Sequence, residues 1–128
     1  MAIFTLQKKE RLKYKNLWDE VFASGQQIKS FPLLLYYLKT PLSDGVRFQA
    51  GFAVPKRNVR KAVSRNRIKR LLREVYRIEK PGIPEFSDAS YALVFLYLGK
   101  EAPNYTDLLK SMRILLKKWV AHETEQNA

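Results

Sequence analysis

"KRNVRKAVSRNRIKRLLREVYR", residues 56–77, carries ten lysines and arginines against one acid, Glu74. Within it Ile68, Leu71, Leu72 and Val75 recur at intervals of three and four, the spacing of one helical face. At about 100° per residue these four share a stripe, while Asn66, Lys69, Arg70, Arg73 and Arg77 fall on the opposite side. Arg65 sits at the border and Arg67 on the flank. The spacing therefore predicts a helix from about 62–64 to 79, docked on a core by its stripe and presenting fixed cations outward. The preceding loop adds Lys56, Arg57, Arg60 and Lys61 to the same field.

The rest of the chain must supply the surface on which that stripe docks. Tyr14, Leu17, Trp18, Val21 and Phe22 repeat at three and four, predicting a helix over about 11–24, with Gly25 as its stop signal. "FPLLLYYLK" (31–39) and "VRFQAGFAV" (46–54) read as strands joined by the turn-rich "TPLSDG". The second alternates, placing Phe48, Ala50, Phe52 and Val54 on one face. "PGIP" breaks the basic helix at 81–84, and "YALVFLYL" (91–98) has the unbroken apolar run of a strand covered on both faces. A final helix over about 105–121 carries Leu108, Leu109, Met112, Leu115, Leu116 and Trp119 on one side. The order is α-β-β-α-β-α, with 26–30 as an optional short strand. Residues 1–10 read as an extended lead-in and 122–128 as a flexible polar tail holding His122. The expected architecture is one α+β domain, a small sandwich with helices packed on a mostly antiparallel sheet.

Composition says what such a domain meets. The 128 residues are long enough to bury a core, and 46% are hydrophobic and 12% aromatic, far from a disordered basic tail. Twenty-four basic against 12 acidic residues leave a net charge of +12, which calls for a polyanionic partner. A solvated helix face is the ordinary explanation for a charge run. Solvated faces mix signs, however, because like charges at i,i+4 cost a few tenths of a kcal/mol per pair. A membrane-surface helix would need large apolar residues free to enter lipid, and this one has only enough to dock on its own sheet. Nucleic acid is the better match, and arginine's planar fork suits phosphate oxygens. No cysteine is present, no apolar run approaches the roughly 20 residues of a membrane span, and the N-terminus lacks signal-peptide order. These features predict a cytoplasmic protein.

The basic run also resembles the signature of the bacterial ribonuclease P protein component, Ala-Val-x-Arg-Asn-x-x-Lys-Arg-x-x-Arg-Glu after a paired basic turn. Here the matching residues are Lys56 and Arg57, then Ala62, Val63, Arg65, Asn66, Lys69, Arg70, Arg73 and Glu74. "ERLKYKNLWDEVFASG", "LLLYYL" and "FQAGFAVPK" extend the likeness to roughly residues 4–119. The chain departs from the family pattern in the turn, where "NVRK" is one residue longer and lacks the usual glycine.

From the residues alone, Trp18 and Phe22 read equally as core or as an open aromatic surface. The resemblance implies the second, because the family has a cleft between this helix and the sheet that takes the single-stranded 5′ leader of precursor tRNA. By position Trp18, Phe22 and Tyr36 would line it, with Arg11, Lys13 and Lys15 supplying charge. Stacking on aromatic faces in a basic groove is how single strands are held. The acids are scattered and the glycines isolated, so no catalytic or metal-binding constellation is expected. The resemblance accordingly implies a protein subunit, monomeric when free, that binds no cofactor itself. Its partners would be precursor tRNA and a catalytic RNA subunit that carries the active site and its Mg²⁺ ions. Two alternatives stand beside it: a ribosomal or general RNA-binding module, and a protein nuclease in its own right.

Overall fold

The computed structural model describes residues 8–127, the side chains of Asp44 and Asn127 aside. Four strands form one sheet: β1 (Gln26–Ser30), β2 (Leu33–Lys39), β3 (Phe48–Ala53) and β4 (Tyr91–Tyr97). Three helices, α1 (Lys15–Ser24), α2 (Ala62–Glu79) and α3 (Tyr105–Asn127), cover it. The spatial order is β1-β2-β4-β3. β1 runs antiparallel to β2 and β2 to β4, whereas β3 and β4 are parallel. A parallel pair cannot be closed by a hairpin, and α2 is the crossover that joins them. The mostly antiparallel α+β sandwich expected from the sequence is the fold observed, with the optional strand present as β1.

Strand alternation divides the sheet into two unequal faces. Leu33, Leu35, Tyr37, Phe48, Phe52, Tyr91, Leu93, Phe95 and Tyr97 point to the main core, where Ile68, Leu72 and Val75 of α2 meet Leu108, Met112, Leu115 and Trp119 of α3. Three members of the predicted stripe are fully buried, and Leu71 packs at its margin. Trp119 is the hub, with the rings of Phe48, Phe86 and Tyr91 at 5.4, 5.2 and 5.3 Å. On the other face α1 and the segment before it cover a smaller cluster of Leu12, Val21, Ala92 and Val94. Among the described residues only this thin layer lies over that side of the sheet.

Local chemistry accounts for several boundaries. α1 ends at Gly25, whose N–H bonds the Val21 carbonyl at 2.8 Å. Gly25 is extended (φ −76°, ψ 163°), not left-handed as a stop-signal glycine often is. It is needed for space, since a Cβ there would lie 2.4 Å from the Val21 oxygen and 2.8 Å from the Tyr37 oxygen. β2 starts at Leu33, not residue 31, because Phe31–Pro32 forms the turn from β1. β3 is covered on both faces, so Gln49 and Gly51, between the apolar positions, are buried as well. Gln49 donates to the Lys9 carbonyl (3.1 Å), and Leu12 N–H bonds Ala50 O (3.0 Å), laying the N-terminal segment over the strand.

Both chain ends correct the sequence reading. Of the extended lead-in, residues 1–7 lie outside the described residues, and Lys8–Glu10 is a 3-10 turn whose Glu10 pairs with Lys80. The flexible tail expected from 122 is helical through Asn127. Glu123 is buried and accepts the Tyr91 hydroxyl at 2.8 Å. His122 is half-buried rather than exposed, with Nε2 3.2 Å from Gln26 Oε1 and its ring against Tyr37. The last turns of α3 therefore seal the β1 edge of the sheet.

Candidate nucleic-acid interface

The basic turn leaves β3 at Val54 and folds back through hydrogen bonds from Asn58 and Val59 N–H to the Pro55 carbonyl (3.1 and 3.3 Å). Val59 is buried, roughly 1.5 kcal/mol or more of anchoring for a side chain of its size. Asn58 Nδ2 ties the turn to the end of β4 through Leu98 O at 3.1 Å. Lys61 occupies the position before α2 without a side-chain cap. Arg65 replaces the cap from within, its Nη1 bonding Val59 O (3.0 Å) and Arg60 O (2.6 Å). This border residue, expected to face RNA, spends part of its guanidinium holding the turn in place.

Lys56, Arg57, Arg60, Lys61, Asn66, Arg67 and Arg70 are exposed along the turn and α2. None of those cations has an acidic partner among the described residues, whose salt bridges join Lys15–Asp19, Arg77–Glu74, Lys80–Glu10 and Arg113–Glu79. Arg77 is thereby taken out of the predicted outward rank. The Arg77 guanidinium bonded to Glu74 also holds that carboxyl below the usual range. Lys69 and Arg73 are partly covered, and the Arg73 guanidinium lies 5.9 Å from the centre of the Phe52 ring, within reach of a cation–π contact. What remains is a continuous uncompensated edge running from Lys56 to Arg70.

The aromatic side chains on the opposite face do come together. Phe22 lies 4.9 Å from Tyr36, edge to face, and 6.2 Å from Trp18. Phe22 is 41% exposed and belongs to neither core cluster, so its ring is open to solvent. Trp18 is half-buried and packs on the sheet: its Nε1 donates to Leu12 O at 2.9 Å, and its ring lies so close over Gly51 that a Cβ there would be 2.3 Å from it. An isolated glycine inside a strand is a recognised sign of such an approach. It was the one signal in the sequence that the indole rests on the sheet.

Register sets what lies beside and beneath α1. Gln27, Tyr36, Val94 and Gly51 form one row across the sheet beneath α1; the next row is Lys29, Leu34, Leu96 and Ala53. In that second row Leu34, Leu96 and Ala53 are only half-buried. The row forms a shallow apolar floor from Phe22 and Tyr36 toward the C-terminal end of β3, where the basic turn begins. Arg11 and Lys13 are exposed at the other side of α1, and Lys15 is paired with Asp19 at 2.9 Å. Among the described residues no three histidine or acidic side chains gather as a metal site, and no helix is long and apolar enough to cross a membrane. The buried Glu123 serves Tyr91 and, with burial as the larger cause, pushes the Tyr37 phenol above its ordinary value.

Comparison with known proteins bears on the family and the fold. The sequence model of the Ribonuclease P family matches residues 6–120. The ribonuclease P protein component of Chlorobium phaeobacteroides is 39% identical over 91% of this chain and 88% of its own length. That of Caldanaerobacter subterraneus is 30% identical over 94% and 97%. The structure of the Staphylococcus aureus RNase P protein superposes with a TM-score of 0.70 at 20% identity, covering 88% of this chain and 96% of that one. The Thermotoga maritima RNase P protein gives 0.68 at 23%, over 85% and 96%. The structural likenesses carry the fold alone; the family match over nearly the whole described chain and the 39% identical relative place this chain in the ribonuclease P protein family.

Proposed function

We propose that the chain is the protein subunit of ribonuclease P, binding the RNA subunit through its basic edge and the 5′ leader of precursor tRNA in the aromatic cleft. The single observation behind this is the pairing of two unlike surfaces at one end of the sheet. An unpartnered row of Lys56, Arg57, Arg60, Lys61, Arg67 and Arg70 suits phosphates. The Phe22–Tyr36 pair over an apolar floor suits unstacked bases. A module that only binds folded RNA through phosphates has no use for the second surface.

The reaction is hydrolysis of the phosphodiester at the leader junction, leaving a 5′-phosphate on the mature tRNA. Among the described residues no three acidic or histidine side chains gather, which supports a division of labour between protein and RNA. In this reading the RNA subunit carries the chemistry and its Mg²⁺, and the protein positions the leader and screens phosphate charge. The test is cleavage of a leader-bearing precursor tRNA at low Mg²⁺ by protein alone, by RNA subunit alone, and by both. Rapid cleavage only in the mixture supports the proposal. Cleavage by the RNA-free protein, lost on mutating a single acid, would replace it with a protein nuclease.

A further inference from the structure

The most exposed aromatic side chain among the described residues is not in the cleft. Phe31, at the β1–β2 turn, is 70% exposed. It forms one lip of a recess of about 500 Å³, within the range of ligand pockets (roughly 300–1,000 Å³). The opposite wall is the β4–α3 connection and the first turns of α3, including Lys100, Glu101, Asn104, Asp107 and Ser111. The recess adjoins the basic edge through a short chain of bonds. Leu98 N–H donates to Pro32 O at 2.7 Å, and Leu98 O accepts from Asn58 of the basic turn at 3.1 Å.

Two of its polar groups are already engaged within the protein. The Tyr97 hydroxyl donates to Glu101 O at 2.6 Å, and Asn104 Oδ1 accepts Asp107 N–H at 3.2 Å. The Glu101 and Asp107 carboxylates have no salt-bridge partner among the described residues. Two free carboxylates would repel a phosphate, so the recess is unsuited to the RNA backbone. They are strong acceptors for an exocyclic amine, and the adjacent exposed ring is a stacking platform. The phosphates on either side of such a base would meet Lys100 at the rim and Lys56 and Arg57 on the neighbouring turn, all exposed.

We propose that this recess binds one unpaired amine-bearing base of an RNA strand, stacked on Phe31 and held at its edge by Asp107 and Glu101. The inference rests on the RNA-binding function proposed above and adds a second base site, beyond the cleft of Phe22 and Tyr36. Uracil, which has no exocyclic amine, is the base it disfavours.

The experiment titrates the full chain with single-stranded oligoadenylate, oligocytidylate and oligouridylate of equal length, with thermal unfolding as a check on the fold. Wild type should prefer the adenine and cytosine strands to the uracil strand. Phe31→Ala, which removes an exposed ring, should weaken binding of the adenine and cytosine strands by about 5- to 150-fold, the value of one lost stack. The double variant Glu101→Ala/Asp107→Ala should abolish the preference over uracil, whatever its overall affinity. Wild-type affinity in Phe31→Ala, with Phe22→Ala still weakened, overturns the recess and leaves the cleft standing. Failure of wild type to bind any of the strands, or precursor tRNA, overturns both.

Discussion

Phe22→Ala separates a binding surface from a core most sharply. Complete truncation of a buried phenylalanine costs about 3–5 kcal/mol. Phe22 is 41% exposed, so scaling by the covered 59% gives an upper figure of about 2–3 kcal/mol. The site is open to solvent and leaves no sealed cavity, which places the expected loss nearer 1–2 kcal/mol, small enough for the protein to remain folded. Loss of a base stacked on the ring is worth about 1–3 kcal/mol, or roughly 5- to 150-fold in affinity. Precursor tRNA should therefore bind the reconstituted complex that much more weakly, while mature tRNA, having no leader, binds almost as before. Phe22→Leu keeps the apolar contact with Tyr36 and loses the flat ring, so it should show the same selectivity with less loss of stability. The assay is equilibrium binding of both RNAs beside thermal unfolding of each variant. A lowered melting temperature with an unchanged precursor-to-mature ratio would refute the cleft.

Gly51→Ala sets a methyl group 2.3 Å from the Trp18 ring, so it should cost about 1–3 kcal/mol of stability by overpacking and shift the intrinsic tryptophan fluorescence; an unchanged spectrum and midpoint would contradict the indole's position. Arg67→Ala with Arg70→Ala should leave stability within about 0.5 kcal/mol and flatten the salt dependence of RNA binding by roughly 0.7–0.9 log unit per lost phosphate contact. Arg65→Ala should differ, lowering stability by about 1–3 kcal/mol as the Val59 and Arg60 carbonyls lose their donor, and calorimetry of the two variants distinguishes them. Ending the chain after Ala121 removes the Glu123 acceptor of Tyr91 and should lower the urea midpoint markedly, whereas a dangling tail would leave it unchanged.

The parts of the fold legible in the sequence were those where one element carries its own answer. Ile68, Leu72 and Val75 at helical spacing amid cations allow one orientation only, and that orientation is observed. The unbroken "YALVFLY" likewise needs cover on both faces, which it receives. What escaped were pairings between distant residues. Glu123 sits in a polar run, and nothing local reveals that the Tyr91 hydroxyl, 32 residues away, gives it a buried partner. A helical wheel sets the directions of Trp18 and Phe22 but not where the sheet beneath them ends. The floor of Leu34, Leu96 and Ala53 depends on strand register, and so the split between a packed Trp18 and an open Phe22 does too. Arg73 reads as an outward cation and Arg65 as a border one, because charge predicts solvent. A guanidinium also bonds carbonyls and covers rings, as these two do.

The central claim is that this chain grips the leader while anchored to the RNA subunit. The most direct measurement is the affinity of the RNA subunit for precursor and for mature tRNA, each with and without the protein, at constant salt and Mg²⁺. The account predicts that adding the protein raises affinity for the precursor and leaves the mature tRNA almost unaffected, so that their ratio grows with the protein present. An equal gain for both RNAs, or none for either, would contradict it.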